Sequence, residues 1–270
     1  MGASFLITLR EGLEIAIVLA ILISYLVKSG RGEAVSAVWR GSALAAGLCL
    51  VVGLVVHLAV GGLHGTVEKA VEGVIAVAAA SVLTWMIFWM RTHARSMGTQ
   101  LRQQVDEATT AGALATIAFV AVIREGLETV LFLLSADTQS ASTGSVVTGG
   151  LLGLVVAAIL GRLVYAGGNK LNLRTFFNVT GILLIFFAAG LVGKAFHEFR
   201  EMLGLEDGWL VSPAWTISSG PWAEGTFYDF MKGFFGWHNA TENVRLIAYF
   251  AYLLPVGWLF VRGARNNAAS

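Results

Sequence analysis

The stretch Arg10-Glu11-Gly12-Leu13-Glu14 places three charged residues inside a run of apolar residues that otherwise has the composition of a membrane helix. The same five residues recur without change as Arg124-Glu125-Gly126-Leu127-Glu128, again within an apolar run. We refer to each copy as the signature. A charge near the centre of a bilayer costs several kcal/mol, so residues of this kind are expected to serve a function. Two identical copies of so costly a motif predict one site built from two halves.

The composition predicts a polytopic membrane protein embedded in the lipid bilayer. The chain has 270 residues, of which 56% are hydrophobic and 13% charged, whereas a soluble domain carries about 25% charged residues. A net charge of +1 gives no reason to expect a nucleic-acid partner. The single cysteine, Cys49, excludes an internal disulfide and argues against a multi-thiolate metal site. No basic region precedes the first apolar run, so we expect the first helix to be retained rather than cleaved as a signal peptide.

Seven segments are long and apolar enough to cross a bilayer, which takes roughly 20 residues each. They lie near 4–27, 38–60, 69–90, 112–135, 146–167, 176–199 and 244–262. The predicted fold class is therefore an all-α polytopic membrane protein with seven transmembrane helices. No linker divides the chain, so residues 1–270 are predicted to form a single transmembrane domain.

The distribution of lysine and arginine predicts the orientation, because cytoplasmic loops are enriched in both. The second connection offers only Lys69, and the fourth, 137–145, has neither residue. We therefore expect the N-terminus outside and the C-terminus inside. The basic residues of the predicted inner connections and tail are Lys28, Arg31, Arg40, Arg91, Arg95, Arg102, Lys170, Arg174, Arg262 and Arg265.

This topology makes the duplication an inverted repeat. The second signature lies three spans after the first, and an odd number of crossings reverses the direction of the helix. The two repeats would cover about 1–108 and 109–204, and the seventh helix, about 244–262, would have no counterpart. Transporters with inverted repeats bind their substrate near mid-membrane, at the interface of the repeats.

A long connection at about 200–243 would lie on the outer side. It carries Trp209, Trp215, Trp222 and Trp237, a density of aromatic rings that is typical of the lipid headgroup region. Residues 225–237 are predicted to form an interfacial helix. The segment either anchors the protein at the lipid surface or forms a lid over the outer mouth.

The spacing inside each signature predicts a cation site. Side chains three and four residues apart share a helical face, so Arg10 can pair with Glu14, and Glu11 can point the same way. Two arginines against four glutamates leave a surplus of two negative charges, which in a bundle of low dielectric attracts a cation. Ligands that are all oxygen favour Fe, Mn or Mg ions. Gly12 and Gly126 leave room for a close neighbouring helix. The predicted ligands are Glu11, Glu14, Glu125 and Glu128, supported by Arg10 and Arg124.

The plainer alternative is that each signature is a structural ion pair whose spare glutamate is protonated by desolvation. A second group of polar residues lies near the outer ends of the third and sixth spans. Its members are spaced four apart or adjacent, namely His64, Glu68, Glu72, His197, Glu198 and Glu201. We expect an entry funnel there, with Glu72 as the strongest candidate, whereas His64, Glu68 and Glu201 also fit a solvated surface.

The duplicated signature resembles that of the oxidase-dependent iron transporter family, which includes fungal high-affinity iron permeases and bacterial EfeU-type permeases. The stretches Val71–Val77, Leu83–Met86, Lys170–Leu173, Ala188–Leu191 and Phe196–Glu198 are similar to the bacterial branch. In that family the signature glutamates are taken to bind iron during transport. By resemblance, Glu72 matches a third-helix glutamate, and His197 and Glu198 match a sixth-helix pair.

The resemblance implies an iron permease of the bacterial inner membrane, with multiple spans and no permanently bound cofactor. Iron, as Fe²⁺ or Fe³⁺, would be the transported substrate rather than a resident group. Fungal relatives receive Fe³⁺ from a copper ferroxidase, and the bacterial type acts with a periplasmic cupredoxin-like protein and a haem peroxidase-like protein. Some relatives are associated with lead, which leaves the identity of the metal open.

Three alternatives compete with an iron permease. The chain would be a carrier for another divalent metal (Mn, Zn, Pb) or a metal/proton antiporter, a membrane oxidoreductase with a carboxylate-bound iron centre, or a non-transporting subunit of an envelope complex. Di-iron bundles add Glu-x-x-His ligand pairs, and neither signature has a histidine at that position. We therefore predict a transporter and not an enzyme.

Overall fold

The computed structural model describes residues 1–138, 143–165 and 173–266, without the side chains of 91–97, 173–174 and 264–266. Most of this is helical. A single 3₁₀ turn, Gly32–Ala34, precedes the second helix. The helices are α1 (Gly2–Lys28), α2 (Val35–Gly61), α3 (Thr66–Glu107), α4 (Ala111–Asp137), α5 (Thr143–Tyr165), α6 (Leu173–Met202), α7 (Thr226–Phe235) and α8 (Asn243–Asn266).

Five of the described segments are long and apolar enough to cross a membrane. They are Gly32–Gly61, Thr66–Met90, Thr143–Tyr165, Thr175–Met202 and Asn243–Gly263. The helices that carry the signatures, α1 and α4, are also 27 residues long each, but each holds three charged residues within its apolar run. The predicted all-α membrane class is confirmed.

The long helices pack in pairs around small residues. α1 packs most extensively on α5, α4 on α2, and α3 on α6, while α8 lies against α6. At the first of these crossings the Thr8 hydroxyl donates a hydrogen bond of 2.8 Å to the Gly150 carbonyl. A side chain at Gly153 would overlap the backbone of α1, and one at Gly41 would overlap the Ala115 carbonyl of α4. Small residues thus allow the backbones to approach closely, as is usual in membrane bundles.

The main apolar core joins α3, α6 and α8 to one end of α1 and α4, where Ile7 and Phe132 are fully buried. A second apolar cluster closes the opposite end and includes Leu22, Leu26 and Leu114. The signatures lie in the length of α1 and α4 between these two clusters. They are thereby held in the interior of the bundle.

α3 is much longer than the predicted span, which ended near residue 90. It continues to Glu107 and has 42 residues, a length of about 63 Å. The extension is stable because Leu101 and Val105 are buried against α1 and the start of α2. Arg31 donates hydrogen bonds of 2.9 and 2.5 Å to the carbonyls of Val105 and Ala108. These bonds supply donors to carbonyls at the C-terminal end of the helix, where intrahelical donors are lacking.

Some basic residues used for the orientation have no described side chain. Arg91 and Arg95 lie within α3, Arg174 within α6 and Arg265 within α8, and in each case only the backbone is described. Lys170 lies outside the described residues, as do most of the residues of the stretch 170–173.

The segment from 203 to 242, which we call the large loop, contains elements that the sequence did not predict. Pro213–Thr216 (β1) pairs antiparallel with Ala240–Glu242 (β2). α7 falls within the predicted helix at 225–237. Many of the aromatic rings of this segment pack on one another: Trp237 lies 5.1 Å from Trp215 and 5.2 Å from Trp222, measured between ring centroids. We call this end of the bundle the loop end.

α7 rests on the bundle. Phe234 packs on Gly2 of α1, and the ring of Phe235 lies 5.3 Å from that of Phe186 on α6. Whether the large loop acts as a lipid anchor or as a lid stays a prediction.

Candidate metal-ion site

The two signatures meet inside the bundle, where α1 contacts α4. Carboxylate oxygens of Glu11, Glu14 and Glu125 all lie within 4.8 Å of one another, and the three residues are buried. Among the described residues, no other group of three potential metal ligands comes this close together. Glu128 is not part of that group. It is connected to the site by its ion pair with Arg124 of the same signature. The sequence prediction of one site from two halves therefore has a structural counterpart.

Each signature forms the ion pairs that its spacing predicted. The Nε of Arg10 lies 3.3 Å from Glu14 Oε1, and Arg124 Nε lies 3.3 Å from Glu128 Oε1. The glutamate that follows each arginine is farther away, at 3.9 Å in both copies. The ion-pair distances of the two halves match, although Arg124 Nε donates a hydrogen bond to Glu128 and Arg10 Nε has no hydrogen-bond partner among the described residues.

The carboxylates of the site are not satisfied by protein donors. Among the described residues, both oxygens of Glu11, one oxygen each of Glu14, Glu125 and Glu128, and two nitrogens of Arg10 are buried without a hydrogen-bond partner. Buried polar atoms normally find partners, and leaving a charged one unpaired is costly. Two arginines also leave two of the four carboxylate charges uncompensated. The arrangement suits a cation with oxygen ligands.

The two arginines differ in their surroundings, although their ion pairs match. The Arg10 side chain is 2% exposed, whereas that of Arg124 is 38% exposed. The Arg124 guanidinium lies over two indole rings of α3, 4.6 Å from the centroid of Trp89 and 5.6 Å from that of Trp85. Cation–π contacts of this kind attract a guanidinium. Trp89 was not singled out in the sequence, because nothing in its local spacing relates it to Arg124.

The signature glycines allow close packing, as predicted. A Cβ built on Gly12 would lie 2.8 Å from the Ala157 side chain of α5. One built on Gly126 would overlap the Cys49 side chain of α2. Each signature helix therefore presses its glycine against the partner helix.

The predicted entry residues Glu72, His197 and Glu198 belong to a separate ion network at the loop end. Lys194 Nζ lies 2.7 Å from Glu72 Oε2 and 3.8 Å from Glu198 Oε1. It also donates a hydrogen bond of 3.0 Å to the Thr138 carbonyl. These carboxylates thus face a buried cation of the protein itself.

The network continues across α3, α6 and β2. Lys69 lies 3.3 Å from Glu198 and 2.9 Å from Glu201. His197 lies between two carboxylates, 3.3 Å from Glu201 and 3.2 Å from Glu242, and Arg200 pairs with Glu242 at 2.7 Å. Of the remaining predicted residues, His64 is exposed and Glu68 is half-buried.

Sequence reasoning missed Lys194, although the signal was present. It is a lysine within an apolar stretch, four residues before Glu198, and the criterion that identified the signatures applies to it equally. Glu242 was also missed, because its partners His197 and Arg200 are distant in sequence, as was Arg245, a buried residue near the start of α8.

Basic residues lie close together at the base of the large loop. Burial, and then the charge of Arg245, lowers the pKa of Lys232. Burial, reinforced by Arg245 and Lys232, lowers the pKa of His238 to about 3, so this imidazole is neutral at physiological pH. The acidic groups of the loop-end network lie along α3 and α6 and at Glu242 of β2.

Comparison with known proteins identifies the family. The family model described as the iron permease FTR1 family matches residues 1–262. This chain belongs to that family. Membership supports iron transport across a membrane and makes the chain a transporter rather than an enzyme, as predicted. No solved structure matches the permease.

The permease is also similar to bacterial ferrous iron permeases. It is 38% identical over 275 residues to the ferrous iron permease EfeU of Escherichia coli O6:H1 strain CFT073, covering 100% of this chain and 99% of the relative. It is 38% identical over 278 residues to the protein of the same name from Yersinia pestis, covering 100% and 96%. The protein of that name from Shigella sonnei is likewise 38% identical over 275 residues, covering 100% and 99%.

Proposed function

We propose that this chain carries Fe²⁺ inward across the bacterial inner membrane through a site formed by Glu11, Glu14, Glu125 and Glu128. The observation that carries the proposal is the convergence of three buried carboxylates within 4.8 Å, with oxygens that have no hydrogen-bond partner in the described part of the chain. The choice of Fe²⁺ rests on the names of the relatives, which are ferrous iron permeases. In this proposal iron is the cargo.

The proposed topology has seven transmembrane helices, an inverted repeat, the N-terminus outside and the C-terminus inside. The packing supports it, because exchange of the repeats converts the α1–α5 contact into the α4–α2 contact and leaves α3–α6 unchanged. The matched distances of the two signature ion pairs support it as well. α8 then stands outside the repeat, and the loop end faces outward.

Arg10 and Arg124 have a defined role in this proposal. Each holds a glutamate 3.3 Å away, which favours the ionised form of a carboxylate in a site of low dielectric. An arriving Fe²⁺ supplies the two positive charges that the four glutamates lack. When the ion leaves, the arginines remain as partners and limit the cost of the empty site.

The loop-end network supplies the entry route. Glu72, Glu198 and His197 would receive the ion before it reaches the signatures. Their carboxylates pair with Lys194 and Lys69, so the ion has to exchange with protein cations on its way inward. The periplasmic cupredoxin-like and haem peroxidase-like partners stay a prediction.

The decisive experiment measures ⁵⁵Fe²⁺ uptake by the purified chain in liposomes under anaerobic conditions. Replacement of one glutamate in each half, Glu14→Gln with Glu128→Gln, is expected to abolish uptake without loss of folded protein. The matched control is Glu206→Gln, an exposed carboxylate of the large loop. Uptake by the double variant equal to that of the control would exclude the proposed site.

Competition by other metals tests the alternative carriers. Oxygen ligands accept Mn²⁺ as well as Fe²⁺, so an excess of Mn²⁺, Zn²⁺ or Pb²⁺ over ⁵⁵Fe²⁺ is added to the same liposomes. We expect Fe²⁺ to be preferred. The oxidoreductase alternative is disfavoured because the described cluster of glutamates includes no histidine.

A further inference from the structure

Lys194 is a buried cation within a predicted membrane span. It is 5% exposed and lies in α6 eight residues before Met202, the last residue of the helix, which corresponds to about 12 Å. A buried lysine is costly unless it is paired and hydrogen-bonded. Its partners therefore indicate what the surrounding space is built to hold.

Three oxygens surround the ammonium, two from helices and one from the residue that follows a third helix. Glu72 Oε2 of α3 lies at 2.7 Å, the carbonyl of Thr138, directly after α4, at 3.0 Å, and Glu198 Oε1 of α6 at 3.8 Å. Such a set of carboxylate and carbonyl oxygens is the kind that binds hard divalent cations. The second oxygen of Glu198 is buried without a hydrogen-bond partner among the described residues, and it lies 3.3 Å from the half-buried ammonium of Lys69.

The geometry points to a second cation site, made by Glu72, Glu198 and the Thr138 carbonyl, which the Lys194 ammonium occupies until an incoming Fe²⁺ displaces it. The direction of entry rests on the proposed function, whereas the existence of the site does not. Lys194 acts here as a tethered competitor of the metal.

A lysine that competes with the metal for the same oxygens would allow the ion to leave the site. Two carboxylates and a carbonyl with no cation of their own would retain a divalent ion, and conduction requires binding that is weak enough for release. The lysine is attached to the site, so its effective concentration there is high. Its return to Glu72 and Glu198 drives the ion onward.

The test counts bound Fe²⁺ on the full chain in detergent by anaerobic equilibrium dialysis with ⁵⁵Fe²⁺. The signature site is first removed with Glu14→Gln and Glu128→Gln, so that binding at the second site is measured alone. Adding Lys194→Met is expected to create about one further bound Fe²⁺ per chain, because Glu72 loses its paired ammonium and Glu198 keeps only the more exposed Lys69. Adding Glu72→Gln as well is expected to abolish that gain.

Lys194→Arg is the matched control in this background, because it retains the positive charge, and it should give no gain. Absence of a gain with Lys194→Met, or a gain that survives Glu72→Gln, overturns the second site. The proposed function is tested separately, by comparing the unmodified chain with the Glu14→Gln/Glu128→Gln variant. If the proposed function is wrong, both bind the same amount of Fe²⁺.

If Lys194→Met does not yield monodisperse protein, a transport measurement tests whether Fe²⁺ displaces Lys194 from the second site. In the otherwise unmodified chain, Lys194→Arg places a planar guanidinium, which can hold carboxylates in bidentate pairs, at the same position. The KM for ⁵⁵Fe²⁺ uptake is expected to rise severalfold, while the maximal rate per folded protein changes little. An unchanged KM overturns the displacement.

Discussion

The guanidinium of Arg124 lies 4.6 Å from the centroid of the Trp89 ring. The less buried signature arginine therefore has an aromatic partner beside it as well as its glutamate, and the described surroundings of Arg10 provide no equivalent. Two halves with matching ion-pair distances thus differ in how readily their arginine can move. We expect Arg124, rather than Arg10, to release its glutamate during transport.

Trp89→Leu should weaken uptake. Loss of the ring removes about 0.5–1 kcal/mol of cation–π attraction, so Arg124 pairs more firmly with Glu128 and the KM for Fe²⁺ rises about two- to fivefold. The matched control is Trp258→Leu on α8, where the Arg262 guanidinium lies 4.9 Å from the Trp258 ring centroid. The measurement is ⁵⁵Fe²⁺ uptake in liposomes, and equal KM values for the two variants would contradict the prediction.

Arg10→Gln should destabilise the protein more than Arg124→Gln. Breaking a buried ion pair costs about 3–5 kcal/mol, and the Arg10 side chain is 2% exposed. Arg124 is 38% exposed, so water can replace part of its interaction and the loss is smaller. Thermal unfolding of both variants in the same detergent compares them. A Tm that falls further in Arg124→Gln would show that the burial difference does not govern stability.

Gly126→Ala should reduce stability through one identifiable contact. The added methyl group would overlap the Cys49 side chain, and overpacking of this kind costs about 1–3 kcal/mol. Cys49→Ala in the same chain is expected to restore most of the loss, since it removes the overlapping sulfur. Gly257→Ala on α8 is the control, because an added Cβ there has no atom within 4 Å. Lack of rescue by Cys49→Ala in thermal unfolding would contradict this account.

Fe²⁺ should stabilise the folded protein through the signature site. A ligand that binds only the folded state raises its stability by about 2.7 kcal/mol at 100 times the Kd. We therefore expect a rise of Tm with anaerobic Fe²⁺ that is lost in Glu125→Gln and retained in Glu224→Gln, a change in the large loop. Retention of the full rise in Glu125→Gln would place the stabilising ion elsewhere.

The features that depend on local spacing were predictable from the sequence. The charges of the signatures within apolar runs predicted a shared site, and the four-residue spacing predicted the pairs of Arg10 with Glu14 and of Arg124 with Glu128. Both follow from helical geometry alone. The all-α membrane class followed from the lengths of the apolar runs.

The features that depend on tertiary contacts were not predictable. Lys194 and Glu72 are 122 residues apart, and no periodicity relates them. The continuation of α3 beyond residue 90 depends on the burial of Leu101 and Val105 against other helices. The strands of the large loop are three and four residues long, too short for an alternating pattern to be recognised.

The length of α3 has a mechanical consequence. One uninterrupted helix carries Glu72 in the loop-end network, Trp85 and Trp89 beneath Arg124, and Leu101 in the apolar cluster at the opposite end. A continuous helix transmits displacement along its axis because its backbone hydrogen bonds resist stretching. A shift of α3 that loosens Glu72 from Lys194 therefore also moves the indole surface under Arg124. The loop-end network and the signature site are joined by this one helix, so a displacement of α3 changes both.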